Sequence, residues 1–97
     1  MAFEPGPLLK KAREGCAAVP VDAGHVLVVG GRGSSATPLA TTELLDTATL
    51  EFAPGPTMQA GRRCCAAVLL DAGGYWIFVV GGSDGHSSSP ATAVLAV

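Results

Sequence analysis

The sequence has few charged residues and no long apolar run. Of its 97 residues only 14% are charged, and the formal net charge is −2. No basic surface for DNA or RNA is therefore expected. Its apolar runs, such as residues 75–80, are far shorter than the ~20 residues of a membrane helix. Residues 1–7 bring an acid and two prolines before any apolar stretch. We therefore expect a cytoplasmic protein without a secretory signal, a membrane segment or a nucleic-acid partner.

Patterns for metal binding and catalysis are also scarce. The sequence has three cysteines and two histidines. Cys16 and Cys65 each precede an Ala-Ala-Val segment, and Cys64 faces the other side of the strand. We expect all three to be free, mostly shielded and structural. Because His25 and His86 have no acidic or cysteine partner at ligand spacing, no metal site, cofactor or catalytic residue is expected.

What the sequence does contain is an internal repeat. Its first part recurs 49 residues later, and past residues 22–24 the spacing becomes 51 residues, a register that pairs Leu44 with Leu95. The matching segments are Phe3–Pro7 with Phe52–Pro56, Arg13–Val19 with Arg62–Val68, and Val29–Gly31 with Val80–Gly82. A repeat of this size indicates one supersecondary unit used more than once, as in propellers and solenoids.

Each unit consists of short apolar runs separated by turn residues. The gaps are too short for crossover helices, which predicts an all-β fold of antiparallel strands. At the first turn we expect Asp22 to cap the backbone and Gly24 to take a positive φ. The continuous runs His25–Val29 and Trp76–Val80 are typical of strands covered on both faces. In the first complete unit the predicted strands are Cys16–Val21, His25–Val29, Thr41–Leu45 and Leu50–Ala53.

The order of these motifs resembles the kelch repeat, the blade unit of kelch β-propellers. An Arg precedes an Ala-Ala-Val strand, a second strand ends in Gly-Gly, and Thr-Glu-Leu-Leu-Asp46, Phe52 and Gly-Pro-Thr-Met58 follow. Leu45 stands where the family usually has Tyr, and Phe52 where it usually has Trp. The resemblance implies four-stranded antiparallel blades, a role in protein interaction, and the signature residues Gly30, Gly31, Asp46, Phe52, Met58, Gly81 and Gly82.

By this resemblance residues 1–97 form a single partial propeller. It contains the last strand of one blade at residues 3–9, a complete unit at residues 13–58 and an incomplete unit at residues 62–97. That is two blades, whereas closed propellers have ~4 to 8. The chain is thus either a piece of a longer propeller or a homo-oligomer that completes a ring, of three copies if it is six-bladed. In a ring, we expect residues 3–9 to complete the last blade of a neighbouring copy.

In an antiparallel meander, the loop after Gly-Gly and the connection between blades lie at the same end. Recognition is expected there, because polar loops on a rigid scaffold commonly carry binding. Glu43 is expected to be a strand-edge charge and Asp46 a turn cap. Gly30–Ser35 is not expected to cradle phosphate, because no helix follows it. The candidate partner-binding residues are Arg13, Arg32, Ser34, Ser35, Arg62, Arg63, Asp84 and His86.

Three functions remain open from the sequence. The first is a non-enzymatic protein-interaction module or scaffold. The second is a fragment of a sugar-acting or oxidative enzyme similar to the kelch-like galactose oxidases, whose copper site needs tyrosines. The chain has one Tyr, so such an enzyme would need residues outside it. The third is a structural fragment without activity of its own. We expect the first, and no enzyme activity.

Overall fold

The computed structural model describes residues 6–34, 37–71, 75–83 and 92–97. These residues form two antiparallel sheets, which confirms the all-β prediction. No helix in the described ranges is long and apolar enough to cross a membrane. The first sheet has the order β1-β2-β3-β4, and its strands are β1 Ala17–Asp22, β2 His25–Val29, β3 Thr42–Asp46 and β4 Glu51–Pro54. The second has the order β5-β6-β7, with β5 Ala66–Asp71, β6 Tyr75–Val80 and β7 Thr92–Ala96.

The four predicted strands of the complete unit are all present. Strand β2 has the predicted bounds, and the other three begin and end one residue later than expected. For β4 the reason is Leu50, which has a φ of 59° and therefore belongs to the preceding turn. Pro54 ends this edge strand, where a missing amide hydrogen is tolerated. The expected strand at residues 3–9 lies partly outside the described residues, and residues 6–9 have no strand pairing.

Two turns at one end of the first sheet are capped by aspartates. The Asp22 carboxylate accepts a hydrogen bond from the Gly24 amide at 2.7 Å, and this bond, followed by the contact with His25, lowers the pKa of Asp22. Asp46 accepts hydrogen bonds from the amides of Ala48 and Thr49 at 2.9 and 3.3 Å. Both acids thus have the expected capping geometry.

The positive φ expected at Gly24 was wrong. Among the described glycines, positive φ occurs at residues 15, 30, 31, 81 and 82. The ladder between β1 and β2 has an irregularity between Pro20 and Asp22, which leaves Val21 as a bulged residue. A bulge increases the local twist of a hairpin, and this twist closes the two-residue turn without a left-handed glycine.

The core lies between the two sheets. Its largest fully buried side chains are Leu27 and Val29 of β2 and Ile77 and Val79 of β6. Met58, in the connection between β4 and β5, is also buried in this cluster. A core built from both sheets means that neither sheet buries its apolar face without the other.

Strand β2 is buried on both faces, as expected, since Val28 is buried on the side opposite Leu27. Strand β6 is not, because Trp76 and Val80 are about two-fifths exposed. Only the face of β6 that carries Ile77 and Val79 packs into the core.

The register of β7 differs from the sequence alignment by one residue. In the first sheet Val29 pairs with Thr42 and Leu27 with Leu44, whereas in the second sheet Val80 pairs with Thr92 and Phe78 with Val94. The expected equivalence of Leu44 and Leu95 was therefore wrong, and Val94 takes that place. Because side chains alternate between faces, a shift of one residue moves each of them to the other face. The shift buries Leu95 in the core and exposes Val94.

Candidate functional site

The candidate site lies at the end of the sheets opposite the aspartate-capped turns. It is held together by backbone hydrogen bonds between residues that flank the strands. Glu14, before β1, and Arg32, after β2, exchange two hydrogen bonds of 2.9 Å. Arg63 and Ser83 form the equivalent pair beside β5 and β6, at 3.0 and 2.9 Å. In both sheets the chain just after the second strand therefore lies beside the segment before the first strand, as the meander topology predicts.

The double glycines occupy the strand exits beneath these pairs. Gly30 and Gly31 have φ values of 65° and 95°, which other residues rarely adopt. The Gly31 amide donates a hydrogen bond to the Arg62 carbonyl at 2.8 Å, which joins the two sheets. A Cβ at Gly30 would collide with that same carbonyl oxygen. The glycines thus allow a left-handed backbone and a close approach between the two sheets.

Arg13, expected at a partner surface, is buried instead. Its side chain is 1% exposed. Its Nε donates to Glu43 at 2.9 Å, its Nη1 donates to the carbonyls of Gly30 and Thr41 at 2.9 Å each, and its Nη2 donates to the Thr41 hydroxyl at 3.1 Å. The guanidinium therefore joins the segment before β1 to the exit of β2 and the entry of β3. The available sequence signal was its recurrence as Arg62 before the same Ala-Ala-Val motif.

Glu43, expected to be a strand-edge charge, is the buried partner of Arg13. Its carboxylate also accepts hydrogen bonds from the backbone amides of Lys10 at 2.6 Å and Lys11 at 3.2 Å. Burial by itself raises the pKa of this group, but the bonds from Lys10, Arg13 and Lys11 outweigh it, so the pKa of Glu43 is lowered. The ionised carboxylate thus holds the segment before β1 against the first sheet.

Arg62 has the corresponding position in the second sheet. It is buried, and its Nη1 donates to the Gly81 carbonyl at 3.2 Å, as Arg13 does to Gly30. By strand register Ala93, paired with Val79, takes the place of Glu43, paired with Val28. Arg62 was also expected at a partner surface, and the structure buries it instead.

Other candidates lie at the surface. Ser34 is exposed, and Arg32 and Arg63 are half-buried. Arg32 forms an exposed ion pair with Glu14 at 2.8 Å. Beside them a depression of about 380 Å³ is lined by Lys11, Ala12, Gly33, Ser34 and Leu39. Ser35, Asp84 and His86 lie outside the described residues. We call the following residues the loop face: Lys11, Ala12, Glu14, Arg32, Gly33, Ser34, Leu39, Arg63 and Ser83.

The cysteines are free, but two of them are not shielded. Cys16 and Cys64 are exposed and Cys65 is half-buried. The prediction of burial was wrong for the first two: Cys16 lies before β1 instead of within it, and Cys64 has a φ of 56° before β5. Burial raises the pKa of Cys65. No group of three His, Cys, Asp or Glu residues is arranged to hold a metal in the described parts of the chain.

These exposures predict the order in which the thiols react. Cys16 and Cys64 should be alkylated at least about tenfold faster than Cys65, whose burial lowers both its access and its thiolate fraction. Alkylation is followed by mass spectrometry of the peptides, with Cys64→Ser to separate the adjacent pair. Unfolding in urea should bring the rates together. Equal rates for all three in the native chain would contradict the placement of Cys65.

Comparison with known families identifies this architecture. A family model for the kelch motif matches residues 15–59, a span that contains all four strands of the first sheet. A search of curated proteins found no match. The second sheet repeats the double-glycine exit and the buried arginine of the first sheet. Residues 15–59 therefore form a kelch motif, and the two antiparallel sheets are consistent with kelch blades of a partial propeller.

Proposed function

We propose that this chain is a non-enzymatic interaction module that binds a protein partner through its loop face. The observation that carries the proposal is the repeated backbone pairing of Glu14 with Arg32 and of Arg63 with Ser83. In both sheets it fixes the first residues after the second strand against the segment before the first strand, at one end of the molecule. Loops positioned by a rigid scaffold are where binding residues concentrate.

The chemistry of the loop face suits a protein surface. The depression beside Ser34 combines the polar Lys11 with the apolar Ala12 and Leu39, and arginine is enriched among residues that dominate protein interfaces. The ion pair between Arg32 and Glu14 is exposed. Since such pairs contribute only ~0–1 kcal/mol to stability, Arg32 can exchange Glu14 for a partner carboxylate at little cost.

The absence of enzyme activity is part of the proposal. It is supported by the contacts of the buried charged side chains in the described residues. Arg13 and Glu43 bind each other and the backbone, and Arg62 binds the Gly81 carbonyl. We further place the interaction in the cytoplasm, since three free thiols suit a reducing compartment.

Paired variants with equal charge changes test the loop face. Arg32→Ala combined with Ser34→Glu alters that face, and Thr47→Glu combined with Thr49→Glu alters exposed residues of the β3–β4 turn at the other end. Both changes make the net charge more negative by two. Each tagged variant is used for affinity capture from cells, and bound proteins are quantified by mass spectrometry.

A specific partner should be retained by the parent chain and the turn variant. The loop-face variant should lose at least about tenfold in affinity for that protein when it is purified and titrated, which corresponds to ~1.4 kcal/mol. Equal binding by all three chains, or a loss confined to the turn variant, would overturn the proposal.

A further inference from the structure

The second sheet exposes a continuous apolar face on the side away from the core. Its large side chains come from all three strands, and five of them are between 39 and 54% exposed. The strand register places them side by side, with Val68 opposite Phe78 and Phe78 opposite Val94. We call this set the open face: Val68, Leu70, Trp76, Phe78, Val80 and Val94. Contiguous apolar patches of this kind mark interaction sites.

We propose that the open face binds the first sheet of a second copy of this chain, in a head-to-tail contact. The surface it would meet is the side of the first sheet turned away from the core. We call it the rear face: Ala18, Pro20, Val26, Leu45 and Phe52. This contact is separate from the loop face.

The junction inside the chain provides the template. There the first sheet, through Leu27 and Val29, packs against Ile77 and Val79 of the second. By register Val80 is the equivalent of Val29, because they pair with Ala66 and Ala17 respectively. The open face of the second sheet is therefore the counterpart of the Leu27 and Val29 face of the first sheet, which is already covered within the chain.

The rear face is likewise the first sheet's counterpart of the face of the second sheet that packs against Leu27 and Val29. Val26, which pairs with Pro20, is the equivalent of Ile77, which pairs with Leu69. Leu45 and Phe52 extend the same face, since Val26 pairs with Leu45 and Leu45 with Phe52. A second copy thus offers the open face the same kind of sheet surface that packs against Leu27 and Val29.

Charge does not oppose this contact. The open face contains no ionisable residue. On the rear side of the first sheet Glu43, opposite Val28, is buried and already compensated by Arg13 and two backbone amides. Docking of the two faces therefore desolvates no uncompensated charge, a cost that would otherwise dominate.

The size of the face sets the strength of the contact. Three strands at ~4.8 Å spacing, of five or six residues at ~3.3 Å per residue, cover about 300 Å². A typical stable interface buries ~800 Å² on each partner. The association should therefore be weak and concentration-dependent, with repeated head-to-tail contacts extending the assembly or closing it into a ring.

Trp76 reports on this contact directly, because it is the one tryptophan of the chain and lies on the open face. Sedimentation of the purified chain over increasing concentration should show a rising mean mass. In parallel the Trp76 emission should shift to shorter wavelength and become harder to quench with acrylamide. A chain that stays monomeric, with unchanged emission, up to about 1 mM would overturn the proposal, and is the result expected if a further blade or another protein covers the face.

Two exposed positions separate a head-to-tail contact from other arrangements. Val68→Lys changes the open face and Ala18→Lys changes the rear face, and neither residue is buried. Each variant alone should remain monomeric at concentrations at which the parent chain assembles. An equimolar mixture should form a dimer, because each variant keeps one intact face, and this recovery also shows that both are folded.

Self-association of Ala18→Lys alone would point to two open faces binding each other and would overturn the head-to-tail arrangement. The loop-face variant, Arg32→Ala with Ser34→Glu, should assemble like the parent chain. The outcome for self-association is therefore independent of the outcome for partner binding.

Discussion

Replacing Glu43 by Gln is expected to lower the free energy of unfolding by about 3 kcal/mol. The substitution keeps the shape of the side chain but removes its charge, so the buried Arg13 guanidinium loses its carboxylate partner. The amides of Lys10 and Lys11 lose the same charged acceptor. Urea unfolding followed by Trp76 fluorescence measures the change.

Glu14→Gln is the matched control, since it removes the same charge from the exposed pair with Arg32. Its effect should lie within ~0–1 kcal/mol, as for surface ion pairs in general. Similar losses for the two variants would contradict the distinct roles of the buried and exposed pairs.

The same carboxylate predicts an acid-dependent loss of stability. The pKa of Glu43 is lower in the folded chain than its ordinary value of 4.5. Its contribution is therefore present above about pH 4.5 and is lost as the pH falls through the lower, folded-state pKa. The parent chain should lose stability in this range more steeply than Glu43→Gln. Parallel pH profiles for the two chains would contradict the assignment.

Gly31→Val is expected to cost about 3 kcal/mol, because a β-branched residue is strained at a φ of 95° and its Cβ has no room. That atom would lie 2.9 Å from the Glu14 carbonyl oxygen and 3.1 Å from the Cβ of Cys16. Thermal and urea unfolding measure the loss.

Gly24→Val serves as its control. Gly24 does not have a positive φ, and among the described residues its Cβ would meet only the Asp22 carboxylate within 4 Å, at 3.7 Å. We expect a change of at most about 1 kcal/mol. If Gly31→Val unfolds at the same urea concentration as the parent chain, the role of the double glycine at the strand exit is wrong.

The local features of this fold were predictable from the sequence. The turn acids Asp22 and Asp46 act on amides within a few residues of themselves, so their role can be predicted from the local sequence. The continuous run His25–Val29 gave the exact bounds of β2 for the same reason. The repeat then placed these elements twice.

The candidate site was only partly predictable. That the loops meet at one end follows from an antiparallel meander, and the Glu14–Arg32 and Arg63–Ser83 pairs show it. Which arginines face outward could not be predicted from the sequence, because a charged side chain is expected to be exposed unless its partner is known. Arg13 finds Glu43 thirty residues away, and no local pattern reveals that contact.

By itself the sequence determined the repeat, the strand order within a unit and the turns, since all of these depend on neighbouring residues. The tertiary structure decided which side chains are buried. It buried Arg13 and Glu43 together, left Cys16 and Cys64 exposed outside the strands, and set the register of β7. The physical reason is that burial is settled where the two sheets meet: Leu95 fills the core beside Ile77, and this contact, rather than the repeat, selects the face on which each residue of β7 lies.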